Sequence, residues 1–493
     1  MAENVVFDIN SNPDTHDIIN KMVSLEARSI DLIEAKKQIE QQKLSNLQEL
    51  KNRVQTFKSV VTTLNNDIQL WFDDLEKSSR YAVSEIPFGL MDQWCFDSSD
   101  TNLRHRGGKF YSIEGIRVIT NYGETQEWEQ PIINQPEIGI LGILTKVING
   151  ERKYLMQAKM EPGNINILQL SPTVQATESN YKRAHKGKKT IYLEYFLGQP
   201  DSVVIFDQLQ TEQGGRFYKK RNRNMLVEVE KDIDIHDDFR WMNLNEIGAL
   251  FHIDNFVNMD SRSVLCCVVR RGGYGYPLHS TDEILNWITR LMVRYSLTVK
   301  LIGLKHVKGW IAGENEIKHT SGSFFKVNSV QVEASTREVT RWTQPMIKNM
   351  GEGLVGFLVA EINDTLHFLV RGIVEVGNID IVHMAPTIQC SVYKQRFREK
   401  NKCFPYMDIF LSSHENILYD QMQSEEGGRF YHCQNRHMIV KIDDYKNLEL
   451  RDDYIWVSYN QVLDFVRYGY FNVEGRSLMS CFGLNEQMAV KND

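Results

Sequence analysis

Apolar residues recur at Ile18, Met22, Leu25, Leu32, Ile39, Leu47, Leu50, Val54, Phe57, Val61, Leu64 and Ile68, at spacings dominated by three, four and seven. That is the period of one face of an α-helix, and neither glycine nor proline interrupts the chain between Asp14 and Ile86. The pattern predicts a long helix or helical hairpin as the N-terminal segment, residues 1–69, of the kind that packs or self-associates as a coiled coil. After Pro87 the period changes. Short β-branched and aromatic runs broken by glycine, such as GKFYSIEGIRVITNYG and GILGILTKVINGERKYLMQAK, predict strands and hairpins, with Asn149-Gly150 at a tight turn. Helical periods return from Leu244 to Phe251 and from Thr281 to Val299. Sheet followed by helix is the order of an α+β fold.

An internal repeat organises the rest. Phe110 and Phe324, Trp128 and Trp342, Pro131 and Pro345, Gly163 and Gly377, Gln175 and Gln389, Asn258 and Asn472, and Arg262 and Arg476 all stand 214 positions apart. The GGRFY of Gly214 to Tyr218 returns at Gly427 to Tyr431 with an offset of 213, which a single-residue loop deletion explains. One offset across unrelated residue types indicates a duplicated module, with copies at residues 70–280 and 281–493.

Composition narrows the class. With 493 residues, 42% of them hydrophobic and 25% charged, the chain is globular and long enough for two or three domains. The net charge of −7 supplies no overall positive field for nucleic acid or an anionic membrane, so neither is expected as a partner. Seven scattered cysteines without a C-x-x-C pair read as reduced thiols of a cytoplasmic protein. The N-terminus lacks a basic stretch followed by an apolar one, and no run of about 18 apolar residues occurs. The sequence contains no phosphate loop, no dinucleotide-binding glycine pattern, no H-E-x-x-H and no G-x-S-x-G, so neither cofactor nor metal is expected.

Candidate chemistry concentrates in two stretches of the first copy. In QAKMEPGNINILQLSPTVQATESNY, Gln157, Lys159 and Glu161 alternate at strand period and project from one face. A solvated sheet face has the same pattern. The amides and hydroxyls that follow, Asn164, Gln169, Thr173, Gln175, Thr177, Asn180 and Tyr181, suit hydrogen bonding to a sugar or a base. In DQLQTEQGGRFYKKRNRN, Gln213 and a double glycine precede Arg216, Lys219, Lys220, Arg221 and Arg223, a natural diphosphate grip that could equally be a solvated basic face. The second copy keeps this frame with fewer cations. Arg371, Glu375, His383, Gln389, Arg429 and His432 form its rival set.

The motifs IPF (Ile86 to Phe88), NLRHRGGKF, W-x-Q-P-I (Trp128 to Ile132), QAKMEPGN, SPTVQATESNY, EQGGRFYKKRNRN and VNMDSRSVLCC resemble, in order, the NDP-hexose 2,3-dehydratase family of deoxysugar pathways. The likeness covers about Trp71 to Cys481, with Tyr111 where the family more often has phenylalanine. It implies a homodimer whose subunit holds two Nudix-like modules, each with a nucleotide pocket. Neither copy carries the R-E-x-x-E-E core of Nudix hydrolases, which speaks against magnesium-dependent pyrophosphate hydrolysis. The implied substrate is dTDP-4-keto-6-deoxyglucose, whose elimination needs no redox cofactor and whose unstable product calls for an NADPH-dependent 3-ketoreductase. On that reading Glu161 is base or acid and Lys159 steadies the enolate. Gln157, Asn164, Gln169, Thr173, Gln175, Tyr181, Gln213 and Arg216 would orient the substrate, and Lys220, Arg221 and Arg223 would hold the diphosphate. The N-terminal stretch from Asp8 to Leu64 resembles the helical start of flagellar cap proteins. A non-catalytic nucleotide-sugar binding protein and an assembly protein organised by that helix are the competing readings.

Overall fold

A computed structural model describes residues 67–99, 101–181, 190–272, 275–335, 339–390, 404–412 and 416–486, and Lys37 besides. The helix predicted for the N-terminal segment lies outside the described residues except at Lys37 and at its end, where residues 67–78 are helical. Helix does not continue to Ile86: Tyr81–Ile86 is a strand. From residue 69 onward the chain is α+β.

Each copy contributes one seven-stranded mixed sheet. In the first, the order is Ser202–Thr211, Arg221–Val229, Gly139–Ile148, Glu151–Met160 and Phe239–Met242. Short strands Leu168–Ser171 and Val174–Ala176 add to Glu151–Met160 and Gly139–Ile148. Arg221–Val229 runs parallel to Gly139–Ile148, whose stretch from Gly139 to Thr145 is buried throughout and almost entirely apolar, as a strand covered on two faces must be. The second copy repeats the order with Ile417–Ser424, Gln434–Lys441, Gly353–Ile362 and Thr365–Ile373. Asn149 and Gly150 both take positive φ, at 51° and 79°, the conformation that a two-residue hairpin matching strand twist requires. Asn363 and Asp364 do the same in the second copy.

The remaining strands form two five-stranded sheets, and here the copies exchange elements. Tyr81–Ile86, near the start of the first copy, pairs antiparallel with Phe325–Ala334 of the second, from Tyr81 opposite Ala334 to Ile86 opposite Ser329. Leu297–Ile302, near the start of the second, pairs with Ser112–Thr120 of the first, from Leu297 opposite Thr120 to Ile302 opposite Gly115. The helical period expected as far as Val299 therefore ends earlier. The helix is Thr281–Arg294, with a capping box between Ser280 and Glu283 and a face of Ile284, Trp287, Ile288 and Leu291 turned inward.

Helices Met259–Leu265 and Val473–Glu486, related by the repeat, pack together at the centre. Each carries a fully buried arginine that bonds across to the other copy. Arg262 donates to Ser477 Oγ and Ser424 O, and Arg476 donates to Ser263 Oγ and Thr211 O. A buried guanidinium costs several kcal/mol of desolvation unless its donors are satisfied, and here each arginine is satisfied partly by its own copy, at Val257 O or Phe471 O, and partly by the opposite one.

The same exchange governs the GGRFY loops. Gly163 N–H donates to Gly427 O (2.7 Å) and accepts at its own carbonyl from His432 N–H (2.9 Å). Gly377 N–H donates to Gly214 O (2.7 Å) and its carbonyl accepts from Lys219 N–H (2.6 Å). A Cβ on Gly163 would stand 1.7 Å from Phe430 O, and one on Gly377 1.6 Å from Phe217 O. Gly163→Ala and Gly377→Ala should each destabilise the chain by about 3 kcal/mol, read as a fall in the denaturation midpoint. Equal stability to wild type would show that the loops can separate without cost.

Candidate active site

The strand-end residues Gln157, Lys159 and Glu161 all open into one cavity of about 1350 Å³. The cavity also receives Gln175, Glu212, Lys220 and Asp260 from the first copy. Glu426, Gly428 and Arg429 enter it from the second, carried by the inserted GGRFY loop. Glu161, Glu212, Asp260 and Glu426 thus share one concave space with Lys159, Lys220 and Arg429.

Their contacts are ordered. Lys159 Nζ lies 3.3 Å from Glu161 Oε1 and donates to Gln175 Oε1 at 2.6 Å. Gln175 Nε2 in turn donates to Asp260 Oδ2. Glu161 is buried, and its Oε2 has no hydrogen-bond partner. Such an orphan acceptor in a cavity wall is costly unless a ligand supplies a donor or a proton. Asn222 donates to Glu212 at 2.7 Å, and Lys220 Nζ donates to the Glu137 carbonyl. Arg429 lies 4.1 Å over the Tyr111 ring and donates to Gln135 Oε1 at 3.2 and 3.3 Å. Tyr111 is itself fixed by its hydroxyl to Pro345 O at 2.6 Å.

Crowding of like charges in a space removed from bulk water shifts the protons. Loss of solvation, with Glu212 and Glu161 adding repulsion, lifts Glu426 to about 7 against the pull of Arg429. Loss of solvation and the charges of Glu426, Glu212 and Glu161 hold Asp260 well above the ordinary carboxylate range. Burial brings Lys220 down to about 8, although Glu212 opposes this. Near neutral pH the cavity therefore holds both proton donors and proton acceptors, as acid–base chemistry requires. Among the described residues no group of three or more His, Cys, Asp or Glu could hold a metal ion.

Several residues singled out in the sequence do other work. Thr173 accepts from Leu144 N–H and donates to Leu155 O, so its hydroxyl ties strands together, as Thr387 does in the second copy. Asn164 lies under the inserted loop and donates to Lys159 O and Ile167 O. Gln169 is fully buried against Ser424, and Gln213 donates to Glu425. Arg223 forms a two-point pair with Asp207, repeated by Arg436 and Asp420, and does not line the cavity. Arg221 does not line it either. Of the three cations expected to grip a diphosphate, Lys220 is the one that lines this cavity. The Tyr181 side chain lies outside the described residues.

Arg216 crosses in the opposite direction, to lie 4.2 Å over Phe325 beside Glu375, Glu425 and Glu474 of the second copy. The rival set is dispersed accordingly. Glu375 is bonded to Asn378 and Gln389, Arg371 pairs with Asp453 at 3.2 Å, and His432 stacks on Tyr431. Burial lowers His383 to about 4. Arg429, read as a member of this set, lines the cavity of the first. Sequence reasoning missed Glu212, Asp260 and Glu426. The last has a visible signal: the residue before the double glycine is Gln213 in one copy and Glu426 in the other.

A sequence profile described as NDP-hexose 2,3-dehydratase matches the chain twice, at residues 65–268 and 281–482. A second profile, the N-terminus of flagellar hook-associated protein 2, matches residues 11–84. The chain is similar to dTDP-4-dehydro-6-deoxy-alpha-D-glucopyranose 2,3-dehydratase of Saccharopolyspora spinosa, at 41% identity over 84% of this chain and 90% of that one. The proteins of the same name from Amycolatopsis orientalis and Streptomyces violaceoruber are also 41% identical, over 84% and 83% of this chain and 89% and 95% of theirs. The paired profile matches and the relatedness along most of its length place the chain in the NDP-hexose 2,3-dehydratase family.

Proposed function

We propose that the first-copy cavity eliminates water across C2 and C3 of dTDP-4-keto-6-deoxyglucose, giving a 3,4-diketo-2,6-dideoxy sugar. The observation that carries this is the cavity's cluster of buried carboxylates beside Lys159. The C4 ketone acidifies the C3 proton, and the C2 hydroxyl is the β leaving group. Glu161 takes the C3 proton at its unpartnered Oε2. Lys159, held by Gln175, steadies the enolate oxygen. Elimination leaves the overall oxidation state unchanged, so the chemistry calls for no redox cofactor.

The assignment to the first copy rests on divergence at equivalent positions. Ile373 stands where the first copy has Lys159, Cys433 where it has Lys220, and Gln213 where the inserted loop of the second copy has Glu426. Each difference removes a charge from the second site and leaves the first complete. We further read the copies, 70–280 and 281–493, as Nudix-like modules and the working form as a homodimer. The unstable diketone would pass to an NADPH-dependent 3-ketoreductase.

Incubation with dTDP-4-keto-6-deoxyglucose, NADPH and such a reductase should yield a 2-deoxy sugar, identified by mass and NMR. No 2-deoxy product, with nucleotide binding retained, would overturn the enzyme reading in favour of a binding protein. Lys159→Ile, which installs the residue of the second copy, and Glu161→Gln should each lower turnover by about 100-fold or more. Glu375→Gln should stay within a few-fold of wild type. Equal losses in Glu161→Gln and Glu375→Gln would refute the division of labour.

A further inference from the structure

Elimination needs an acid as well as a base, and the cavity offers a candidate that the first copy does not encode. Resting on the reading of this cavity as the site of elimination, we propose that Glu426, reaching in from the second copy, is the general acid that protonates the departing C2 hydroxyl.

Position carries the argument. Glu161 Oε1 and Glu426 Oε1 approach one point, where a Cβ on Gly428 would lie, to 3.8 and 2.7 Å. The two carboxyl groups therefore flank the same small volume. The loop that bears Glu426 is held by its main chain. Arg429 N–H and Phe430 N–H donate to Glu426 O, and Gly163 N–H donates to Gly427 O. Glu426 is only partly buried and lines the cavity, so its carboxyl can meet a substrate. Asp260 is the other protonated candidate, but it accepts from Gln175 and recurs as Glu474, in a copy that lacks the lysine. Glu426 has no acidic counterpart, because Gln213 occupies its position.

The step balances as follows. The C3–H pair moves toward the C4 carbonyl as Glu161 receives the proton. The enolate pair then forms the C2–C3 double bond while the C2–O bond breaks. The oxygen takes the proton of Glu426 and leaves as water. Glu426 is left as a carboxylate and exchanges protons with solvent, and the 3-enol tautomerises to the diketone.

Glu426→Gln should lower turnover of dTDP-4-keto-6-deoxyglucose by about 100-fold or more. It should still wash C3 deuterium out of labelled substrate, which Glu161→Gln should not. A 2-fluoro analogue, whose fluoride leaves without a proton, should be turned over by Glu426→Gln within about tenfold of wild type. The acid must be protonated, so wild-type turnover should fall as pH rises through about 7. That limb should be absent from Glu426→Gln. Gly428→Ala, whose methyl would displace the Glu426 carboxylate, should lower kcat at least tenfold with little change in melting temperature. Gly215→Ala, with open space at the equivalent point, should match wild type. Turnover of the natural sugar by Glu426→Gln within tenfold of wild type would overturn the assignment, as would equal loss with the fluoro analogue. Wild-type enzyme inert toward both sugars would overturn the elimination reading itself, and the assignment with it.

Discussion

Two glycines with no room for a side chain hold this structure together. Gly163 and Gly377 lie flat against the GGRFY loop of the opposite copy, each in a pair of main-chain hydrogen bonds, with a carbonyl oxygen where a Cβ would be. Main-chain pairing at that distance is possible only for glycine, and it fixes the loop to within the tolerance of a hydrogen bond. Everything the loops carry is thereby placed. Arg429 reaches Tyr111, Arg216 reaches Phe325, and Glu426 faces Glu161. The exchanged strands Tyr81–Ile86 and Leu297–Ile302 and the crossed arginines Arg262 and Arg476 reinforce the same interdependence. The cavity is lined by both copies.

Much of the frame was legible in the sequence because it depends on local pattern. The constant 214-residue offset announced two like sheets, and Asn149-Gly150 announced a hairpin whose backbone takes the conformation those residues favour. Partner choice was not legible. YAVSEI alternates as any half-buried strand does, and alternation says which side chains share a face but not which strand lies alongside. The basic run from Arg216 to Arg223 looked like one anion site. Strand geometry divides it, sending Lys220 into the cavity, Arg223 to Asp207 and Arg216 across to the second copy. Two of the candidate amides, Gln169 and Gln213, bond to Ser424 and Glu425 of the opposite copy, contacts that no single stretch of sequence displays.

Thr173 illustrates the same limit on a smaller scale. Its hydroxyl, set among polar neighbours, suggested a ligand contact, and its recurrence as Thr387 with the same two main-chain bonds marks it as scaffold. Comparison of the copies separates the two kinds of residue. A polar side chain that recurs with its partners belongs to the frame, and one that changes while its surroundings recur belongs to the chemistry. Glu161 recurs as Glu375, while its neighbours Lys159 and Glu426 are replaced at the equivalent positions by Ile373 and Gln213.

Electrostatics explains why the divergence runs in one direction. Carboxylates held close together out of bulk solvent repel, and part of that repulsion is relieved by retaining protons, as the upward shifts of Asp260 and Glu426 register. Lys159, Lys220 and Arg429 relieve more of it, at the cost of their own desolvation. A second site equipped in the same way would repeat both costs without any gain in chemistry. There the lysines have given way to Ile373 and Cys433 and one acid to an amide, while Arg216 remains to face Glu375, Glu425 and Glu474. The second copy keeps a loop that lines the first cavity with Glu426, Gly428 and Arg429. On the proposed division of labour, the module that lacks both lysines still supplies a wall, a cation and a carboxyl to the cavity of the other.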